Sequence, residues 1–301
     1  MIAAKETGFG SYFARVIGKP FWGRLRQGTI FSSVAVDDGR PRGFGVVITA
    51  HCDMANDKVS SVNYLPIVPF CQWCMTECNT VLCKNFKTEI LGKIGRLLED
   101  NEVSSELLKY ESIEKIIQIH FERRLPDRKI QKVIDNLMTE NAKLIKLKEL
   151  SAKNSLTNAE LATLIRLNNK SFEKYSTECI KNKLPDFYFL PVVSLENGDD
   201  GQGYVVLLRM IYSIPSELAK AVANGLTSAE YEKQAQVNPA WAGKLSMLDE
   251  EDFAMPVGQL ESPHLEHLMQ KFSILYTRIG LEDIPDQVVG KVYNSVIGEP
   301  K

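Results

Sequence analysis

The sequence predicts an α+β protein: a small β-sheet split in two by a helical segment and followed by a helical C-terminal region. Three observations lead there. Strand-like runs rich in β-branched and aromatic residues fall in two blocks, residues 28–70 and 187–214. The chain between them, from about Val81 to Lys183, carries apolar residues at the helical period. Neither block is large enough for a stable core of its own, so the two are expected to share one sheet.

The elements follow in order. Gln27-Gly28-Thr29-Ile30-Phe31-Ser32-Ser33-Val34-Ala35-Val36 reads as the first strand, closed by the turn Asp37-Asp38-Gly39. Phe44-Gly45-Val46-Val47-Ile48-Thr49 is almost wholly apolar, the pattern of a strand covered on both faces. Val62-Asn63-Tyr64-Leu65-Pro66-Ile67-Val68 is the third, with Pro66 expected at an edge or bulge because proline has no N–H to donate.

In the helical segment Ile113, Ile116, Ile117, His120 and Phe121 form one stripe, with His120 read as a core histidine, and Ile130, Val133, Ile134, Leu137 and Met138 form another. Thr157 and Glu160 spell a capping box before the face Leu161, Leu164, Ile165, Phe172 and Tyr175. A bundle of three or four helices is expected. Phe187-Tyr188-Phe189-Leu190 and Tyr204-Val205-Val206-Leu207 then flank a polar turn and read as a hairpin. Thr227 and Glu230 form a second capping box. Ser262-Pro263 opens a long helix with the register Leu265, Leu268, Met269, Phe272, Leu275, Tyr276 and Ile279, ended by Gly280. The layout is thus 1–80 for the first part of the sheet, 81–183 for the helical insertion, 184–215 for the second part and 216–301 for the helical C-terminal region.

Composition narrows the class. The 301 residues are 44% hydrophobic and 25% charged, with 36 Lys+Arg against 38 Asp+Glu, which excludes disordered and collagen-like chains. No apolar run approaches membrane-spanning length and the first residues lack a signal-peptide pattern, so a cytoplasmic protein without membrane contact is expected. The net charge of −2 hides an asymmetry: +2 over residues 1–83, +5 over 84–183 and −9 over 184–301. Walker, dinucleotide-binding and nucleophile-elbow motifs are missing, which argues against ATPases, Rossmann enzymes and α/β-hydrolases.

Three groups of residues could carry chemistry. Thr49 to Asp57 reads as a polar loop after the most apolar strand, where His51 and Asp53 are the candidate functional side chains. Cys52 beside His51 could be a nucleophile with its base; alternatively Asp53 and Asn56 only bond the loop backbone while Cys52 packs as a small hydrophobe. Cys71, Cys74, Cys78 and Cys83 have the spacing C-x2-C-x3-C-x4-C, which suits either a buried helical stripe or a structural zinc site. Lys143, Lys146, Lys148, Lys153 and the Arg123-Arg124 pair could contact phosphates, but the acidic residues among them also fit a solvated helical face. His264 and His267 fall in the first turns of the last long helix.

The pieces Gln27-Gly28-Thr29-Ile30-Phe31, Arg40-Pro41 through Val46-Val47-Ile48-Thr49, Tyr64-Leu65-Pro66-Ile67 and Tyr204-Val205-Val206-Leu207-Leu208-Arg209-Met210-Ile211-Tyr212-Ser213-Ile214 together resemble the PemK/MazF toxin family. The resemblance covers about a quarter of the chain. It implies an SH3-like β-barrel and metal-independent, sequence-selective cleavage of single-stranded RNA in a toxin-antitoxin or phage-defence setting. It also implies that Arg40 or Arg42 holds the phosphate charge, a task suited to a guanidinium. The family's usual hydroxyl residue after Pro-Ile is Val68 here. Two functions are therefore expected to compete: engagement of RNA or other single-stranded nucleic acid with Arg40, Arg42, His51 and Asp53 at the site, or a catalytically inactive barrel that binds a protein partner as an adaptor or sensor.

Overall fold

The structure, a computed structural model, describes residues 15–35, 43–56, 58–195, 203–247, 249–277 and 285–297. Strands β1 (Ile17–Gly18), β2 (Thr29–Val34), β3 (Gly43–Val47), β4 (Ser61–Pro69), β5 (Phe187–Leu190), β6 (Tyr204–Leu207) and β7 (Tyr212–Pro215) are joined by a late strand from the C-terminal region. The two blocks form one antiparallel sheet. β4 pairs with β3 along one edge, and with β7 then β6 along the other.

Pro66 sits inside this sheet rather than at its rim, and the ladder shows why it is tolerated. Ile48 N–H donates to Asn63 O at 2.9 Å, so residues 63, 65 and 67 of β4 face β3 and Pro66 turns its nitrogen to the other edge. There the β7 register ends at Tyr64 and the β6 register begins at Ile67. The missing donor falls in the interval between two partners.

Alternation then sorts side chains between the two faces. Ile30, Val46, Leu65, Ile67, Tyr188, Leu190 and Val206 join one core with Ile17. On the other face Phe31, Val47 and Tyr64 enter a second core, while Val68, Val205 and Leu207 enter a third. Each fully buried aliphatic or aromatic side chain contributes about 1.5–3 kcal/mol, so all three cores matter to stability.

Between β3 and β4 lies the short helix α1 (His51–Ala55), where the sequence suggested a loop; Asp53 in its first turn suits the positive end of the helix dipole. After β4 come α2 (Phe70–Met75), α3 (Glu77–Glu99), α4 (Ile113–His120), α5 (Arg128–Ser151), α6 (Asn158–Leu167) and α7 (Asn169–Ile180). Ser112 and Asp127 accept backbone N–H groups at the starts of α4 and α5, and the Thr157 and Glu160 capping box forms. Trp73, Leu82, Phe86, Ile94 and Leu137 build this core, which reaches the sheet through Val205 and Leu207.

Two residues depart from the expected stripes. His120, the last residue of an eight-residue helix, is exposed, and Met138 is 46% exposed.

The C-terminal region contains α8 (Ser216–Ala223), β8 (Leu226–Thr227), α9 (Ser228–Val237), β9 (Phe253–Ala254), β10 (Pro256–Leu260), α10 (His264–Thr277) and α11 (Asp286–Ile297). Read as helical from its pattern, it also supplies β10, which runs between β1 and β2 in the sheet. Gln259 of β10 is buried yet satisfied: Thr29 Oγ1 donates to its Oε1 at 2.9 Å, and its Nε2 donates to Gln27 O at 2.9 Å. On α10, Leu265, Leu268, Met269, Phe272 and Leu275 pack into the core shared by the strands, while Tyr276 is 45% exposed. Ile279 and Gly280 lie outside the described residues.

The strand order β1-β10-β2-β3-β4-β6-β5 curls into a half-barrel. A side chain on Gly258 of β10 would collide with the carbonyl oxygen of Val193, just past β5. The two ends of the strand order therefore approach each other, and only glycine fits between them.

Candidate functional site

A candidate site forms where α1, the segment before β2 and α8 meet. The segment before β2 is tied down from Gly23 to Gly28. Gly23 N–H donates to Ala223 O at 2.9 Å, and Gln27 Nε2 donates to Ile48 O at 3.0 Å. Arg26 N–H donates to Thr29 Oγ1 at 2.8 Å. Gly23 has φ +82°, which a side chain would oppose. Phe21 lies under the Arg26 guanidinium, 3.7 Å from its ring centre. Trp22 projects from this frame at 60% exposure, followed by exposed Arg24. A hollow of about 80 Å³ opens beside Arg24, lined by Arg24, Leu25, Met54, Val62, Ala219 and Lys220.

Of the residues anticipated from sequence, His51 and Asp53 are on α1, whose Met54 lines this hollow. They do not meet as an acid–base pair. Residues i and i+2 of a helix point to different sides, and Asp53 Oδ1 instead accepts the Cys52 thiol at 3.6 Å. Asn56 Nδ2 donates to Cys52 O at 2.6 Å, a side chain bonding back over the turn. His51 and Cys52 are exposed, so Cys52 does not pack as a core residue. Arg40 and Arg42 lie outside the described residues. Val68, which follows Pro66-Ile67 in β4, is completely buried under the helices and faces no open surface.

The cysteine run is divided by the break between α2 and α3 at Thr76. Cys71 is exposed, whereas Cys74, Cys78 and Cys83 are buried with Cys179 from α7. The hydrogen bond with Cys74, together with burial, raises the Cys78 thiol far above its ordinary range. Burial pushes Cys83 up to about 11 and Cys179 up to about 12. Shifts in this direction favour the thiol over the reactive thiolate. Among the described residues, no group of three or more His, Cys, Asp or Glu side chains is arranged to hold a metal, and Cys71 lies at the surface, apart from Cys74, Cys78 and Cys83.

Several of the basic residues in the helices are tied to neighbouring acids: Lys115 to Glu111 at 2.8 Å, Lys143 to Glu140 at 2.5 Å and Lys146 to Glu149 at 2.8 Å. His264 and His267 cluster at Tyr188, near the seam of the curled sheet. The Tyr188 hydroxyl is 3.5 Å from His264 Nδ1, and the His267 ring stands edge-on to the Tyr188 ring. Burial, with His267 close by, lowers the pKa of His264, which favours its neutral form.

Trp22, Arg24 and Lys220 escaped the sequence reading. The run Lys19-Pro20-Phe21-Trp22-Gly23-Arg24-Leu25-Arg26, aromatic residues between cations, was the available signal for the first two. Lys220 carried none, since it joins them only through folding. Compared with protein-family models, curated proteins and solved structures, the chain finds no match. No helix among the described residues is long and apolar enough to cross a membrane.

Proposed function

We propose that the protein engages single-stranded nucleic acid on the surface built by Trp22, Arg24 and the neighbouring α1 and α8. The observation that carries this is the 60% exposure of Trp22 on a hydrogen-bonded segment, with Arg24 two residues on. An exposed indole on a rigid frame offers a stacking platform worth about 1–3 kcal/mol per base, and nearby cations attract the phosphates. The curled antiparallel sheet supports a PemK/MazF-like, SH3-like barrel as the scaffold, with residues 81–183 as a helical insertion. A toxin-like or phage-defence role is what that resemblance adds.

Binding is better supported than cleavage. Cleavage would require Arg40 or Arg42 at the phosphate with His51 or Asp53 as acid or base, yet His51 and Asp53 diverge on α1, and Val68 brings no hydroxyl. The test is fluorescence anisotropy with a labelled mixed-sequence single-stranded RNA across a salt titration. Trp22→Ala is expected to weaken binding about tenfold or more, and Arg24→Ala to lower the salt slope. Absence of binding at low salt, or affinity unchanged in both variants, sinks the proposal. Gel analysis of the same RNA beside an Arg40→Ala, Arg42→Ala variant decides whether it is also cut.

A second reading, a protein-binding adaptor, has its own observation. Helix α11 exposes Val288, Val289, Val292 and Tyr293, at 48%, 52%, 61% and 63%. Pull-down with and without nuclease separates the readings: stoichiometric partners that survive nuclease and depend on these residues favour the adaptor.

A further inference from the structure

A separate site lies in the helices, away from the proposed nucleic-acid surface. One stripe of α3 and one of α5 face each other in antiparallel fashion and enclose a hollow of about 410 Å³. That volume falls in the range of about 300–1,000 Å³ typical of small-ligand pockets, which bundles commonly place between helices. On the α3 side the lining includes Cys83, Lys84, Lys87 and Leu91, successive members of one helical face. Leu144, Leu147 and Lys148 answer from α5. Cys83 and Leu147 are buried and form the floor, Leu91 and Leu144 are half-buried walls, and the three lysines are exposed at the rim.

The charge at this rim is uncompensated. Among the described residues, Lys84, Lys87 and Lys148 have no ion-pair or side-chain hydrogen-bond partner, although Lys143 and Lys146 on the same α5 are both paired. Three unpaired ammonium groups around an apolar hollow complement an anion attached to an apolar body. No aromatic side chain lines the pocket, so nothing there would stack a planar ring; leucines and lysine stems suit a flexible alkyl chain. Lysine acts as a compact point charge rather than a bidentate fork, which suits a simple head group such as a carboxylate.

We propose that this groove binds a single-chain aliphatic anion, with its chain between α3 and α5 and its head among Lys84, Lys87 and Lys148. The test is calorimetric titration of the full-length protein with dodecanoate below its micellar concentration, beside methyl dodecanoate and vesicles of anionic diacyl lipid. The expected result is saturable one-to-one binding of dodecanoate that is about tenfold or more tighter than that of the ester and weakens with salt. Joint Lys84→Gln, Lys87→Gln and Lys148→Gln substitution should weaken it about tenfold. Leu144→Trp should abolish it by filling the hollow, while circular dichroism and affinity for RNA stay unchanged. Equal affinity for the ester, no effect of the glutamines in a folded variant, no saturable binding, or binding to vesicles alone would overturn the proposal.

Discussion

Individual residues show most directly how environment changes chemistry. The six cysteines divide into exposed Cys52 and Cys71 and four buried thiols. An aromatic disulfide reagent should therefore titrate two thiols rapidly in the native protein at mildly alkaline pH and all six in denaturant; four or more fast thiols would contradict the buried placement. Glu160 gives a pH prediction. Its hydrogen bonds, first with Lys153 and then with Thr157, hold its carboxyl down to about 2 from an ordinary 4.5. A carboxyl depressed on folding stabilises the fold above its unfolded pKa and loses that contribution as pH falls from about 4.5 through about 2. The melting-temperature gap between wild type and Glu160→Gln should be largest near neutrality, shrink across that window, and be reduced by salt because the pair is exposed. Two glycines should respond in opposite ways. Gly258→Ala, forced against Val193 O, should cost about 1–3 kcal/mol in urea unfolding, while Gly92→Ala, in open space on α3, should gain about 0.5–1 kcal/mol.

Elements were legible where one local signal sufficed and illegible where a partner was needed. The capping boxes at Thr157 and Thr227 are where their spacing placed them, because both members lie within one helical turn. β10 was missed because Pro256-Val257-Gly258-Gln259-Leu260 lacks a strand pattern; Gly258 is small to clear Val193, and Gln259 is inside only because Thr29 and Gln27 satisfy its amide. α10 illustrates the same dependence. Its apolar stripe was readable, but not that half-buried Lys271, whose pKa burial lowers, donates to the carbonyls of Asn182, Leu184 and Phe187 at 2.7–2.9 Å. This contact fastens α10 to the turn leading into β5. Lys271→Met should leave those carbonyls short of a donor and cost about 1–3 kcal/mol, read by chemical denaturation.

At the scale of the whole molecule, the sheet is assembled from distant parts of the chain, so its stability should not divide by segment. A chain ending at residue 250 lacks β10 and α10 and should fail to fold cooperatively, whereas one ending at residue 284 loses only α11, whose described side chains are largely exposed, and should keep a similar melting temperature. A cooperative transition in the shorter chain would refute the role given to β10. The proposed binding surface has the same non-local origin: Trp22 and Arg24 lie before β2, Met54 is on α1 and Lys220 on α8. By itself the sequence determined the α+β class, the helical texture from about Val81 to Lys183, the strand blocks at 28–70 and 187–214 and the capping boxes, since propensity, periodicity and short-range hydrogen bonds act within a few residues. Only the tertiary structure decided that β10 completes the sheet, that Val68 lies beneath helices, that His51 and Asp53 diverge, and that Lys84, Lys87 and Lys148 ring one hollow. Each of these depends on which distant backbone or side chain fills the space alongside, and no local pattern encodes that.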